Sequence, residues 1–267
     1  MNYSDGTGKI ISNIEVAPSH YRMDIEATFD LKTAGPGQFV MVKVSDGMAP
    51  ILRRPFGIYT IDEEKDSFAI LYRVVGEGTR LLSEMAAGVK VDVLGPLGKG
   101  FSFDISGERP LLVAGGVGVP PLFNFARGLV EKEIMPLVLI GGRSKSDLLS
   151  VDEFEKLGIM VKTATEDGSE GHKGYVTDIM EAFIAGGVIP TTVYSCGPEL
   201  MLKRVGEIAM AKGLPCELSL EAMMACGFGV CLGCVIKTCT VENVEDHDYG
   251  RVCTEGPVFD AREIIWE

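Results

Sequence analysis

Residues 109–142 read RPLLVAGGVGVPPLFNFARGLVEKEIMPLVLIGG. An apolar run ends at Gly115, Gly116 and Gly118, Pro120 and Pro121 open a stretch with helical character, and a second apolar run follows. Short apolar runs bounded by turn residues suit strands buried on both faces. Proline is tolerated in the first turn of a helix, where the amide has no partner to lose. Strand, glycine turn, helix and strand in this order predict a parallel βαβ unit. The alternation continues with a helix at 147–158, a strand at 160–166, a helix at 175–185, a strand at 191–198 and a helix at 199–213.

The chain changes character on either side of this region. Upstream, short runs at 9–17, 21–29, 38–44, 56–62, 67–75 and 89–95 are separated by turn signals at Gly35-Pro36-Gly37, Asp46-Gly47 and 62–66. That rhythm predicts an antiparallel barrel or sandwich, interrupted by one short helix at 79–86. Downstream, from about Leu214, the sequence is dominated by cysteine and glycine. The fold class is therefore β plus α/β. We expect three domains, a β-barrel at 1–105, a parallel α/β domain at 106–213 and a small C-terminal module at 214–267.

The C-terminal cysteines carry the sharpest chemical signal. Cys226, Cys231 and Cys234 follow the spacing C-x4-C-x2-C, and Cys239 and Cys253 come later. This is the plant-type ligand spacing of a [2Fe–2S] cluster. Gly227, Gly229 and Gly233 lie among the ligands, and glycine lets a backbone approach an inorganic core closely. Buried free thiols or a zinc site are the plainer readings. Three cysteines interleaved with three glycines pack poorly as a core, and a zinc site more often shows two C-x2-C pairs. For the fourth ligand, CVIKTC from Cys234 to Cys239 has no turn residue. An extended chain at roughly 3.3 Å per residue would carry Cys239 about 16 Å away. The polar stretch at 242–251 reads as a loop that returns the chain, which selects Cys253.

Composition sets the outer limits. The formal net charge of −13 argues against nucleic acid or an acidic membrane surface as a partner. Seven cysteines, an odd number, fit free thiols and a reducing, cytoplasmic compartment better than a disulfide framework. No apolar run is long enough to span a bilayer, and the first ten residues lack the apolar core of a secretory signal.

Three further stretches suggest nucleotide binding. Amides lined by Gly115, Gly116 and Gly118 at a helix start favour phosphate, although the order is not G-x-G-x-x-G because Pro121 takes the third glycine's place. Strand ends at Gly141-Gly142-Arg143 and Cys196-Gly197-Pro198 could converge with this loop in one dinucleotide crevice. Arg143 alone reads equally well as a solvated surface charge, and Cys196 as a small core residue. Arg53 and Arg54 beside Pro55 can hold an anion, or form an ordinary basic loop. Gly76, Gly78 and Thr79 open the short helix and could serve a second pyrophosphate. The three histidines show no metal-ligand spacing.

Taken together, RRPFGIY, LYRVVGEGT, LGPLGKGF, LLVAGGVGVPPLF, IGGR, TEDGSEGHKGYVTD and YSCGP resemble the ferredoxin–NADP⁺ reductase-like flavoprotein superfamily. The tail LSLEAMMACGFGVCLGCVIKT…RVCTEGPVF is similar to that of the electron transfer subunits of NAD⁺-dependent dihydroorotate dehydrogenases. The resemblance implies that Arg54, Pro55, Phe56 and Gly57 hold the flavin of FAD. It implies that Leu71, Tyr72 and Arg73 run along the flavin, and that Gly78 and Thr79 meet the FAD pyrophosphate. Gly115, Gly116, Gly118, Cys196, Gly197 and Pro198 would face NAD, and Cys226, Cys231, Cys234 and Cys253 would hold the cluster.

The same resemblance implies an FMN-containing catalytic partner, a heterotetramer of two plus two subunits, and a role in pyrimidine biosynthesis. Electrons from the partner would pass singly through the cluster to FAD, which gives a hydride to NAD⁺. Gly57 departs from the serine of many relatives, and the 18 residues between Cys234 and Cys253 include the extra Cys239. The competing readings are a stand-alone NAD(P)H–acceptor reductase, the small subunit of a transhydrogenase or sulfide dehydrogenase, and a zinc-stabilised module without activity.

Overall fold

The computed structural model describes residues 3–45, 47, 49–103, 109–240 and 243–266, with only the backbone described at 243–246. The residues at the expected 105/106 boundary and Asp46 of the expected turn lie outside these.

The first six strands are β1 (Ser4–Ala17), β2 (His20–Glu26), β3 (Phe39–Val42), β4 (Arg54–Asp62), β5 (Ser67–Arg73) and β6 (Lys90–Leu97). They close an antiparallel barrel in the order β1-β2-β5-β4-β3-β6, with β6 pairing back onto β1. Closure leaves no unpaired sheet edge. The alternating apolar residues of these runs, including Ile10, Met23, Ile25, Val40, Val42, Ile58, Ile70 and Val93, fill the interior. The short helix α1 spans Glu77–Ser83, two residues earlier than expected, because Thr79 Oγ1 accepts from the Val75 and Gly76 amides and fixes its start. Asn13 Nδ2 donates to the Leu82 and Met85 carbonyls and ties the other end of α1 to β1.

The α/β part contains β7 (Pro110–Gly115), α2 (Val119–Glu131), β8 (Leu137–Gly142), α3 (Val151–Lys156), β9 (Met160–Thr165), the two-residue β10 (His172–Lys173), α4 (Val176–Ala185), β11 (Thr192–Cys196) and α5 (Glu199–Ala211). After β12 (Cys216–Ser219) come β13 (Val235–Thr240), β14 (Asn243–Arg251) and β15 (Val258–Asp260). One sheet runs β10-β9-β8-β7-β11-β12-β15, parallel except for the pairing of β15 with β12. The segment after residue 213 thus supplies two strands to the same sheet.

α2 packs on one face of the sheet with Tyr59 and Phe101 of the barrel side, while α4 and α5 cover the other face. This places the start of α2 between the sheet and barrel strand β4.

Two expectations are corrected. The helix at 147–158 begins only at Val151. Asp147 instead caps a 3₁₀ turn through the Ser144 amide, and Ser150 takes a left-handed φ of 61° with its hydroxyl bonded to Tyr59. The polar stretch at 242–251 is not a loop but, from Asn243, the strand β14, paired antiparallel with β13. Its polarity suits a two-stranded ribbon, which has no sheet above it to demand apolar residues.

Candidate functional site

The site is built from loops at the carboxyl ends of the parallel strands, where ligands of open α/β sheets sit. The turn after β7 and the turn after β11 press together. A Cβ on Gly115 would lie 2.8 Å from Pro198 Cδ, and one on Gly118 would lie 2.7 Å from the Gly197 amide nitrogen. Any side chain at either glycine would therefore force the two turns apart. Gly116 takes φ +51°, and space beyond its Cα is open. Its turn leads directly into α2, whose first two residues after Val119 are Pro120 and Pro121. No side chain caps the start of this 13-residue helix, and because Pro120 and Pro121 carry no N–H, the amide donors at this end are those of the backbone at 116–119.

Cys196 closes the floor of this crevice. Its side chain is buried in the cluster shared by the sheet and α2. Burial, followed by the charge of Glu221, pushes the thiol up to about 12, against a smaller opposing hydrogen bond with Ser219. At neutral pH it is a small apolar wall, not a thiolate. Glu221, just beyond β12, is exposed at the surface, and the neighbouring walls desolvate it only in part, which raises its pKa from the ordinary value. The sequence reading passed over Glu221, because its neighbour Cys196 lies 25 positions away along the chain. An acidic residue ending an apolar strand is the only signal it offers.

Barrel strand β4 brings the second set of residues against the first. A Cβ on Gly57 would stand 3.3 Å from Pro121 Cδ, so the strand and the start of α2 are in contact. Arg53 and Arg54, indistinguishable in sequence, part company here. Arg53 donates to Asp92 at 2.6 Å and to Asp5 at 2.9 Å and belongs to the barrel wall. Arg54 bonds only backbone carbonyls of Leu52 and Arg53 among the described residues. Its guanidinium lies beside Gly78, with Nε 3.0 Å from where a Cβ would project. An unneutralised guanidinium against the first turn of α1 fits an anionic group such as the pyrophosphate of FAD.

Phe56 and Tyr72 pack at 5.5 Å between ring centroids. The Tyr72 hydroxyl donates to Asn13 Oδ1 inside the barrel, so this side chain supports the wall and leaves the strand backbone to face a ligand. Leu71 is buried on the α2 side, and Arg73 lies opposite the buried His20.

Four cysteines come together: Cys231 lies near enough to Cys226 to lower its thiol, and both Cys234 and Cys226 lie near enough to Cys253 to raise its own. The β13–β14 hairpin brings Cys253 back to Cys234. It carries the chain out and back, and the Val252 amide then donates to the Cys234 carbonyl at 3.1 Å. Cys239 is held elsewhere, its thiol donating to the Arg262 carbonyl.

Among the described residues no three His, Cys, Asp or Glu converge on one metal-ion position. Burial opposes ionisation of Cys226, but the Cys231 and Phe228 amides, the Cys231 thiol and the Val230 amide outweigh it and bring the thiol down to about 6. Cys253 is pushed up to about 12 by burial and by its Cys234 neighbour, so the inner pair must lose a proton when it takes a cation. Cys234 and Cys253 are buried, whereas Cys231 is exposed. Gly227, at φ +83°, seats the loop on the barrel, where a Cβ would come within 2.6 Å of Met41 Cγ.

A closed antiparallel barrel beside a parallel sheet, with the helix that follows the glycine turn packed against barrel strand β4, defines the class of ferredoxin–NADP⁺ reductase-like flavin and nicotinamide reductases. Solved structures agree. A structure of NADH-dependent reduced ferredoxin–NADP oxidoreductase, studied for flavin-based electron bifurcation, is 30% identical, with a TM-score of 0.85 over 97% of this chain and 90% of that one. The ferredoxin reductase of carbazole 1,9a-dioxygenase shares the fold at 18% identity and a TM-score of 0.69, over 80% of this chain and 68% of its own.

Residues 112–207 match the oxidoreductase NAD-binding domain, and residues 221–265 match the iron-sulfur cluster binding domain of dihydroorotate dehydrogenase B. The chain belongs to the family of dihydroorotate dehydrogenase B (NAD(+)) electron transfer subunits. Relatives of that description from Bacillus cereus and Bacillus anthracis are 39% identical over 258 residues, 96% of this chain and 96% of theirs.

Proposed function

We propose that this chain takes electrons from an FMN-containing dihydroorotate dehydrogenase catalytic subunit and delivers them to NAD⁺, in pyrimidine biosynthesis. The observation that carries the proposal is the seating of the cysteine loop, through Gly227, against the same barrel that holds Arg54 beside the start of α1. When bound, a [2Fe–2S] cluster supplies one-electron transfer and FAD supplies both one-electron and hydride chemistry.

The chain's own residues bind and orient. Arg54 with Gly78 and Thr79 holds the FAD pyrophosphate, while Pro55, Phe56, Gly57 and the strand Leu71–Arg73 form the flavin's bed. Gly115, Gly116 and Gly118 admit the NAD pyrophosphate to the start of α2. Cys196, Gly197 and Pro198 form the wall against the nicotinamide, and the contact of Gly57 with Pro121 fixes the approach of the two nucleotides. Cys226, Cys231, Cys234 and Cys253 hold the cluster, with the exposed Cys231 toward the partner. Residues 1–105, 106–213 and 214–267 then divide into FAD, NAD and cluster parts.

No described helix is long and apolar enough to cross a membrane. A cytoplasmic, two-plus-two assembly with the catalytic subunit completes the reading. The likeness to the ferredoxin–NADP oxidoreductase structure supports a second reading, the small subunit of a transhydrogenase-type enzyme. Purifying the chain with each class of partner separates the two. The first reading expects dihydroorotate-dependent NADH formation, and the second expects electron exchange only with a ferredoxin- or NADP-linked partner.

A further inference from the structure

Side chains alternate between the two faces of a strand, so each barrel strand has an inner and an outer set. On β3, Val40 and Val42 fill the barrel, while Phe39 and Met41 point outward into the core that also holds Cys234 and Cys253. On β4, Phe56 packs on the barrel interior, which leaves Pro55 and Gly57 on the outer face. The register pairs Met41 with Pro55 and Phe39 with Gly57. The strand under the cysteine loop and the strand under the flavin bed are therefore neighbours, one interstrand step of about 4.8 Å apart.

Met41 stands at that step. Its side chain is fully buried. A Cβ on Gly227 would lie 2.6 Å from Met41 Cγ and 3.2 Å from Met41 Sδ, with Leu97 Cδ1 also at 3.2 Å. Gly227 follows Cys226 directly, and its φ of +83° turns bare backbone toward the thioether. A dry contact thus joins the loop of a candidate cluster ligand to the strand beside the flavin bed. Close packing of this kind transmits a change of even one methylene.

We propose that Met41 is a positioning residue for electron transfer: by seating Gly227, it holds the Cys226 loop at a fixed distance from the flavin bed on β4. The electrons balance as follows. NADH gives a hydride, which carries two electrons, to FAD. One electron passes to the cluster, which is reduced by one, and the other stays on the flavin. The proposal rests on the FAD and cluster sites proposed above.

The test loads the full chain with FAD and cluster and adds NADH without oxygen. Flavin absorbance follows hydride arrival, and the EPR signal of the reduced cluster, sampled by rapid freezing, follows the single electron. Met41→Val keeps an apolar strand former and removes the thioether, and Met41→Leu refills most of the lost volume. Met41→Val should retain FAD, with flavin reduction within about twofold of the unsubstituted chain, because the nucleotide crevice lies outside this contact. Its cluster signal should appear at least about tenfold more slowly, since a misplacement of about 1 Å can change a geometry-controlled rate by that much. Loss of iron with FAD retained supports the same role. Met41→Leu should bring iron content and cluster reduction back to within about threefold, as volume-conserving swaps are tolerated best. Cluster reduction in Met41→Val as fast as in the unsubstituted chain overturns the proposal. Joint loss of FAD and iron also overturns it, because Met41 would then only prop the barrel. An unsubstituted chain that holds neither group, or whose cluster takes no electron from NADH, overturns the electron-transfer reading itself, and the role of Met41 with it.

Discussion

At the scale of single residues, identical side chains acquire different duties from partners far away in sequence. Arg53 is spent on Asp92, 39 positions distant, whereas Arg54 keeps its charge for a ligand. Arg54→Ala should weaken FAD retention by at least about tenfold, because a charge-assisted anion contact is lost. Arg53→Ala should leave the flavin in place and only lower the melting temperature. Flavin absorbance after desalting, beside a thermal melt, checks both.

Glu221 gives a pH-dependent case. Its pKa is raised on folding, so the protonated form is the one the fold favours. The stabilisation is present at pH below the ordinary carboxylate range and is lost as pH rises through the folded value. Glu221→Gln should therefore melt slightly higher than the unsubstituted chain at pH 7, a small gap because Glu221 is exposed and solvent screens its charge, and the gap should close toward pH 4. A gap that stays constant or widens toward acid would contradict this. The sequence showed the arginine pair and the cysteine spacing, because these are local patterns. It could not divide Arg53 from Arg54 or place Glu221 beside Cys196, because those facts depend on strands meeting across the fold.

At the scale of elements, most of the architecture was legible. Alternating apolar runs in the first hundred residues became the six barrel strands, and the strand–helix alternation after residue 109 became the parallel sheet. The hairpin escaped, since the polar residues of β14 read as a loop when no second sheet buries them. Yet that hairpin returns Cys253 to Cys234. Chain reach alone argued for the return, but the ladder between β13 and β14 performs it. Ile236 pairs with Gly250 in that ladder. Ile236→Pro removes a donor from the strand and should disrupt the pairing. The expected result is iron content reduced by more than half with FAD content near normal, read by iron analysis against flavin absorbance. Full iron content would show that the hairpin is dispensable.

The whole molecule carries a formal charge of −13, yet its cysteine face is apolar. Val230 is 73% exposed and Leu232 59%, on either side of the exposed Cys231. Exposed apolar side chains grouped beside a redox site suit a protein partner. Val230→Asp should weaken assembly with the catalytic subunit about tenfold or more and leave flavin and iron content unchanged, as measured by analytical ultracentrifugation.

The central claim is that this chain completes a circuit which begins in another subunit. The direct measurement mixes the FAD- and cluster-loaded chain with an active FMN-containing catalytic subunit and follows NADH on adding dihydroorotate. NADH should form only when both subunits are present, and should fail when Cys231→Ser removes one cluster ligand while FAD remains. No NADH from two fully loaded subunits, or undiminished NADH with Cys231→Ser, would contradict the account.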